Sequence, residues 1–148
     1  MRASVQRVVS AHVDIAETTK ASIENGYLIL LGVGRGDTET QAEKLWSKIS
    51  KMRIFADESG KTNKSISDVG GSVLIVSQFT LYANCRKGTR PSFADAGAPD
   101  EANRLYEYFI ELAKRDIPHV ETGVFGADMR VSLVNDGAFT LWLDTDSL

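Results

Sequence analysis

The chain has 148 residues, of which 43% are hydrophobic and 25% are charged, and its formal net charge is −3. This size and composition are typical of one globular domain with a sizeable core. An acidic chain is a poor candidate for wrapping a long stretch of nucleic acid, because phosphate neutralisation dominates such binding. No apolar run approaches the roughly 18 residues of a membrane helix, and residues 1–7 lack the apolar region of a signal peptide. We therefore expect a cytoplasmic protein.

The first half of the chain predicts strands followed by a helix. Apolar residues between Val5 and Ile15 indicate an early strand with room for a bulge, and Tyr27 to Val33 is a continuous apolar run of strand type. Thr38 and Gln41 form a capping box. After it, apolar residues recur at helical spacing and predict an amphipathic helix: Ala42, Leu45, Trp46, Ile49 and Met52.

The second half continues with a strand, a long loop and a second helix. Gly70 and Gly71 open a strand that we predict from Ser72 to Leu81. The irregular segment Ala83 to Ala98 follows, and loops of this length in compact domains are usually functional or mobile. Pro99 fits the first position of a helix. Its apolar face consists of Ala102, Leu105, Tyr106, Phe109 and Leu112, and it ends before Pro118.

The C-terminal part of the chain has strand periodicity. Met129, Val131 and Leu133 alternate with polar residues, Asn135-Asp136-Gly137 predicts a turn, and Phe139 to Leu143 predicts a returning strand. Together these elements predict an α+β fold, in which residues 1–148 form a single domain. The sheet is expected to be largely antiparallel and barrel-like, with two main amphipathic helices.

Few residues offer obvious catalytic chemistry. His12, His119 and the single Cys85 have no metal-binding spacing, so we expect neither a metal nor another cofactor. Ser77 and Thr80 are candidate nucleophiles, but each would need a base. On the residues alone, the polar end of a strand is the better account of Ser77 to Thr80, and an Asp-Gly pair is a common hairpin signal.

Two short segments nevertheless carry a specific resemblance. Ser77-Gln78-Phe79-Thr80-Leu81 and Asn135-Asp136-Gly137-Ala138-Phe139-Thr140 resemble the signature pair of the D-aminoacyl-tRNA deacylases, which hydrolyse D-amino acids and glycine from mischarged tRNA. The resemblance runs nearly end to end and includes Gln6-Arg7-Val8, Leu31-Gly32-Val33, Arg53-Ile54-Phe55, Gly70 to Leu74, Arg90-Pro91-Ser92-Phe93, Thr122-Gly123 and Val131 to Asn135. One position departs, because the family places proline where this chain has Ala138.

The resemblance implies a mechanism without an acid–base side chain. The substrate would be the CCA end of a tRNA that carries a D-amino acid or glycine, and the neighbouring ribose hydroxyl would assist attack on the ester. Backbone N–H groups would stabilise the oxyanion. Ser77, Gln78 and Phe79 would line the adenosine and ester pocket, with Thr80 as a lesser candidate for a nucleophile. Neither a membrane nor DNA is expected as a partner.

The second motif is implied to be a chirality filter. In the family, its Gly-Pro pair enters the partner subunit's active site with a cis peptide bond, so the protein would be a homodimer. Carried over, Gly137 and Ala138 occupy the filter with Asn135, and Arg7 braces it. A cis bond costs roughly 0.5–1 kcal/mol before proline and about 2.5–4 kcal/mol before other residues. We therefore expect a trans Gly137–Ala138 bond and weaker rejection of L-aminoacyl-tRNA.

Three functional hypotheses follow. The first is the D-aminoacyl-tRNA deacylase just described. The second is a homodimer that binds the tRNA end but has relaxed or lost its chiral proofreading, because Ala138 replaces the family proline. The third is a small-ester hydrolase that uses Thr80 or Ser77 as nucleophile, and a base within hydrogen-bond reach of either side chain would favour it.

Overall fold

The fold is built on a mixed six-stranded sheet with two helices, and the computed structural model describes residues 1–148. The strands are β1 (Arg2–Ile15), β2 (Thr18–Ile23), β3 (Gly26–Gly32), β4 (Phe55–Ala56), β5 (Thr62–Lys64), β6 (Ser72–Ser77), β7 (Val120–Thr122) and β8 (Arg130–Asp144). The helices are α1 (Glu39–Lys51) and α2 (Pro99–Asp116), and a short 3-10 helix covers Phe79–Tyr82. The predicted α+β class with two main helices is confirmed.

The long strand β1 organises the sheet. Its first half pairs antiparallel with β3, its second half pairs antiparallel with β2, and β8 pairs antiparallel with its other edge. β6 then joins β3 in parallel, and β7 joins β6 in parallel. The nearly closed, barrel-like sheet is therefore largely antiparallel, as predicted, with two parallel pairings beside the site described below.

Both faces of the sheet are covered by apolar side chains. Tyr27, Ile29 and Leu31 of β3 pack into a core with the two helices, whereas Leu28 packs on the opposite face with Val8 and Val13 of β1. Alternate side chains of a strand point to opposite faces, so a strand buried on both faces must be apolar throughout. This explains the continuous apolar run in β3.

Both helices begin where the sequence predicts, and α2 ends before Pro118, as predicted. Thr38 N donates to Gln41 Oε1 at 2.8 Å at the start of α1, and Pro99 opens α2. The helices pack together through Trp46 of α1, which meets Phe109 edge to face with 5.7 Å between ring centroids and donates to Asp116 at 2.8 Å. Neither helix combines the length and the apolar character that crossing a membrane requires.

The strand predicted from Ser72 to Leu81 is shorter than expected. It ends at Ser77, and the 3-10 helix follows. The neighbouring strand β3 ends at Gly32, and its Leu31 accepts a hydrogen bond from Gln78 N at 2.8 Å. Beyond that point no strand is available for pairing, so the chain turns. Strand periodicity alone does not record where the partner strand stops.

The predicted turn at Asn135-Asp136-Gly137 is wrong. Residues 130–144 continue along β1 as the single strand β8, and the two apolar stretches pair with the same neighbour. Gln6 pairs with Thr140 and Val8 pairs with Asn135, so four residues of β8 lie opposite Arg7 alone. The Asp-Gly signal marks this wide bulge, which we call the β8 bulge (residues 136–139). Local sequence does not distinguish it from a hairpin.

Candidate functional site

A cavity of about 610 Å³ opens where β6 ends and α2 begins, and this volume lies in the usual range for small-molecule sites. It is largely apolar. The residues that line it are Val33, Val76, Ser77, Gln78, Phe79, Phe93, Ala96, Gly97, Pro99, Ala102, Phe125, Gly126, Ala127, Asp128, Met129 and Val131. Three residues of the first motif, Ser77, Gln78 and Phe79, stand in its wall.

Arg2 holds the first motif in place from β1. Its Nη1 donates to the carbonyl oxygen of Leu81 at 3.1 Å, and its guanidinium lies 4.3 Å from the ring centroid of Tyr82. Asp144 fixes the other side of the same guanidinium, with Nε 2.7 Å from Oδ2. The first and last strands therefore clamp the 3-10 helix beside the cavity. Sequence reasoning missed this role of Arg2.

The start of the 3-10 helix supplies candidate oxyanion donors. Gln78 N donates to Leu31 O, so this N–H is already used by the fold. The N–H groups of Phe79 and Thr80 stand in the first turn and have no acceptor within their own short helix. Backbone N–H groups fixed in this way can bind a developing negative charge with little reorganisation.

No histidine reaches Ser77 or Thr80. Thr80 is exposed, does not line the cavity, and accepts a hydrogen bond from Gln78 Nε2. His119 contacts Ser72 Oγ at 3.0 Å and Glu121 Oε1 at 3.1 Å. Ser72 and Ser77 are five residues apart on β6, which corresponds to roughly 16 Å. His12 is engaged with Asp14 at 3.4 Å.

Three hydrogen bonds that involve the Asn135 side chain close the base of the β8 bulge. Asn135 Nδ2 donates to Phe139 O at 2.9 Å and to Arg7 O at 3.0 Å, while Phe139 N donates to Asn135 Oδ1 at 2.9 Å. Asn135 therefore joins the two ends of the bulge to each other and to β1.

The expectation of a trans Gly137–Ala138 bond is wrong, because this peptide is cis. Glycine does not relax the loop as expected, since the Asn135 side chain fixes the residues on either side. Gly137 has φ +143°, a conformation that favours glycine. Weaker rejection of L-aminoacyl-tRNA was expected because the bond was expected to be trans, so this reason for it no longer applies.

Arg7 braces the β8 bulge from the facing strand. Its Nε donates to Asp136 O at 3.1 Å and lies 3.2 Å from Asp136 Oδ2. Its Nη1 donates to Ile54 O, and its guanidinium lies 4.7 Å from the ring centroid of Phe139. Arg7 thus connects the bulge to the segment after α1.

The two motifs do not meet within one chain. Asn135, Gly137, Ala138 and Arg7 are all absent from the cavity wall, and Gly137 and Ala138 are exposed. Sequence reasoning also missed the opposite wall, residues 125–129, since no motif there suggests a site. No cluster of three or more His, Cys, Asp or Glu side chains is placed to hold a metal ion.

Comparisons with known proteins agree with this arrangement. The family model described as D-Tyr-tRNA(Tyr) deacylase matches residues 4–144. A D-aminoacyl-tRNA deacylase from Thermotoga petrophila is 52% identical over 148 residues, spanning 100% of this chain and 99% of the relative. Another from Thermosipho melanesiensis is 53% identical over 146 residues, spanning 98% of this chain and 97% of the relative.

Solved structures give the same picture. The c-Myc DNA Unwinding Element Binding Protein has a TM-score of 0.92 at 39% identity, covering 97% of this chain and 98% of that chain. A probable eukaryotic D-amino acid tRNA deacylase shares the fold, with a TM-score of 0.82 at 16% identity and coverage of 96% and 97%. From the family match over residues 4–144 and these full-length similarities, the chain belongs to the D-aminoacyl-tRNA deacylase family.

Proposed function

We propose that the chain performs D-aminoacyl-tRNA deacylation, the activity of its family, in the cavity at the end of β6. The observation that carries this proposal is the position of the first motif. Ser77, Gln78 and Phe79 line a cavity of ligand size, and the N–H groups of Phe79 and Thr80 have no acceptor within the 3-10 helix that begins there. The reaction adds water to the ester and releases a free amino acid and tRNA.

Catalysis rests on positioning and backbone electrostatics. The terminal adenosine occupies the apolar cavity beside Phe79 and Phe93, which orients the ester. The vicinal ribose hydroxyl of the substrate assists the attack, and the N–H groups of Phe79 and Thr80 stabilise the oxyanion. This route suits a cavity that no histidine reaches.

Chiral selection is assigned to the second motif of a partner subunit. Gly137 and Ala138 are exposed and do not line the cavity of their own chain, so a second copy has to supply them. Inserted there, the β8 bulge leaves no room for an L side chain, whereas glycine has none to exclude. The working enzyme is therefore a homodimer with its sites at the interface.

Matched substrates test the activity and the status of the filter together. The purified protein is expected to deacylate D-aminoacyl- and glycyl-tRNA faster than L-aminoacyl-tRNA. The same comparison for Ala138→Pro measures how much discrimination the alanine has lost. Hydrolysis of D- and L-substrates at equal rates by the natural sequence, with discrimination restored in Ala138→Pro, would instead establish the relaxed filter as the correct alternative.

We predict that the protein sediments as a dimer at micromolar concentration. Val9 of β1 and Val134 and Trp142 of β8 are each more than half exposed, and they lie on the two paired strands that carry the bulge. Val134→Asp is expected to shift the protein toward the monomer and to reduce deacylation in parallel. The control is Leu148→Asp, at an exposed leucine outside β1 and β8. A fully active monomer would contradict both the interface and the shared site.

We predict that Thr80→Ala keeps deacylation of D-aminoacyl-tRNA within roughly tenfold of the natural protein, because only the backbone of Thr80 is used. General acid–base or nucleophilic assistance typically contributes about 100-fold or more. Ser77→Ala is the matched variant at the other hydroxyl. Loss of nearly all activity in either folded variant would support the nucleophile mechanism. A chelator is expected to leave the rate unchanged.

The cellular location follows from the thiol and the substrate. Cys85 is the only cysteine, and it is exposed and free. Disulfides are rare in reducing compartments, where exposed thiols persist. With aminoacyl-tRNA as substrate, we assign the protein to the cytoplasm.

A further inference from the structure

A basic loop stands at the rim of the cavity. We define it as residues 85–91, the tip of the irregular segment between the 3-10 helix and α2. Asn84 and Ser92 close its base through two backbone hydrogen bonds, Asn84 N to Ser92 O at 2.7 Å and Ser92 N to Asn84 O at 3.0 Å. Because Phe93 lines the cavity directly after this base, the loop projects from the cavity mouth.

The charges of the basic loop are unpaired. Arg86, Lys87 and Arg90 are exposed, the loop contains no acidic residue, and none of the three side chains makes a salt bridge. Arg2, Arg7 and Arg104, by contrast, each pair with a carboxylate. Three free cations on seven residues of an acidic chain form a local site for anions.

An aromatic pair connects the basic loop to the cavity. Phe79 and Phe93 meet edge to face with 5.0 Å between ring centroids, and they are 54% and 38% exposed. Proteins that bind single-stranded nucleic acids combine exposed aromatic rings with neighbouring cations. The bases stack on the rings, and the phosphates contact the cations. The cavity and the basic loop are therefore two parts of one continuous surface. The first suits the terminal nucleoside, and the second suits the RNA nucleotides that precede it.

We infer that the basic loop binds the phosphates of the single-stranded RNA nucleotides that precede the terminal adenosine. The inference rests on the proposed function, since it places the RNA end in the cavity. Each side of the loop is three or four residues long, so its tip lies within about 12 Å of the rim. Only the last two or three phosphates fall in that reach. The rest of the acidic surface then needs no contact with the tRNA.

Two substrates distinguish the contribution of the basic loop to the reaction rate from that of the catalytic cavity. We compare D-aminoacyl-tRNA with the ester of the same D-amino acid and adenosine, which lacks the preceding phosphates. The variant replaces Arg86, Lys87 and Arg90 with alanine. The control variant replaces Lys20, Lys48 and Lys61 with alanine. These three lysines are exposed and lie outside the basic loop, and their replacement changes the net charge by the same amount.

The basic-loop variant is expected to lose about tenfold in kcat/KM on D-aminoacyl-tRNA at moderate salt, mainly through KM. The slope of log kcat/KM against log salt concentration should become less negative by about 2. Each phosphate that is neutralised on a single strand contributes about 0.7 to that slope. Hydrolysis of the adenosine ester should stay within about twofold, and the control should retain the natural salt slope.

Three results would overturn the inference while the proposed function stands: an unchanged rate on tRNA, an equal loss on both substrates, or the same loss in the lysine control. Failure of the unaltered protein to hydrolyse either ester would instead refute the proposed function, and the inference with it.

Discussion

Replacing Asn135 with alanine is expected to lower the free energy of unfolding by about 2–4 kcal/mol and to reduce deacylation of D-aminoacyl-tRNA by on the order of 100-fold. Three hydrogen bonds are lost, and each contributes roughly 0.5–1.5 kcal/mol, with more where a partner is left unsatisfied. The β8 bulge then loses the tie between its two ends, and a misplacement of about 1 Å is enough for a 100-fold rate loss.

Urea unfolding and single-turnover deacylation measure these two effects separately. Ser132→Ala is the matched control, because Ser132 is an exposed polar residue on the same strand. Asn135→Asp keeps the acceptor for Phe139 N but sets a carboxylate oxygen against the carbonyl oxygens of Arg7 and Phe139, so it should not recover the rate lost in Asn135→Ala. An Asn135→Ala protein with natural rate and selectivity would show that the bulge keeps its shape without this side chain.

Replacing Gly26 with alanine is expected to destabilise the protein by more than about 4 kcal/mol, a loss that few single substitutions cause. Gly26 lies at the start of β3 opposite Ser72 of β6, and a Cβ there would overlap the backbone of Ser72. Its φ of +157° is also unfavourable for an L side chain. The clash is with backbone, so a side-chain rotation cannot relieve it.

The Gly36→Ala variant separates the steric clash from the cost of the unfavourable backbone conformation. Gly36 has φ +84° but no atom within 4 Å of the added Cβ, so only the conformational cost of about 1–2 kcal/mol applies. Soluble expression and thermal unfolding should therefore give a folded Gly36→Ala protein and a largely unfolded Gly26→Ala protein. Similar stabilities for the two variants would contradict the close approach of β3 and β6.

Elements with strong local signals were predictable from the sequence. The capping box at Thr38 and the proline at position 99 set the starts of both helices, and the apolar run in β3 reflects burial on both faces. The end of β6 was not predictable, because it depends on where the neighbouring β3 stops. The β8 bulge was missed for a similar reason, since its flanking stretches find the same partner strand.

The candidate site was predictable only in part. The first motif directed attention to Ser77, Gln78 and Phe79, which line the cavity, but not to the wall formed by residues 125–129. Arg2 also gave no signal, because its contacts with Tyr82 and Asp144 join residues far apart in the chain. The geometry of the Gly137–Ala138 peptide was wrongly predicted from the intrinsic preference of the two residues, which does not include the clamp by Asn135.

The β8 bulge also affects colloidal behaviour. β8 pairs only with β1, so its outer edge presents unpaired N–H and C=O groups along a 15-residue strand. A flat edge of that length is a template for edge-to-edge aggregation. The bulge divides it into two regular pieces of about five residues each and breaks their alignment. A variant in which the bulge is shortened to a regular strand would therefore lose its selectivity for D-substrates. It would also have a long regular edge that is prone to aggregation. The same four residues that are assigned to proofreading thus also keep the free edge of β8 from open-ended edge-to-edge pairing.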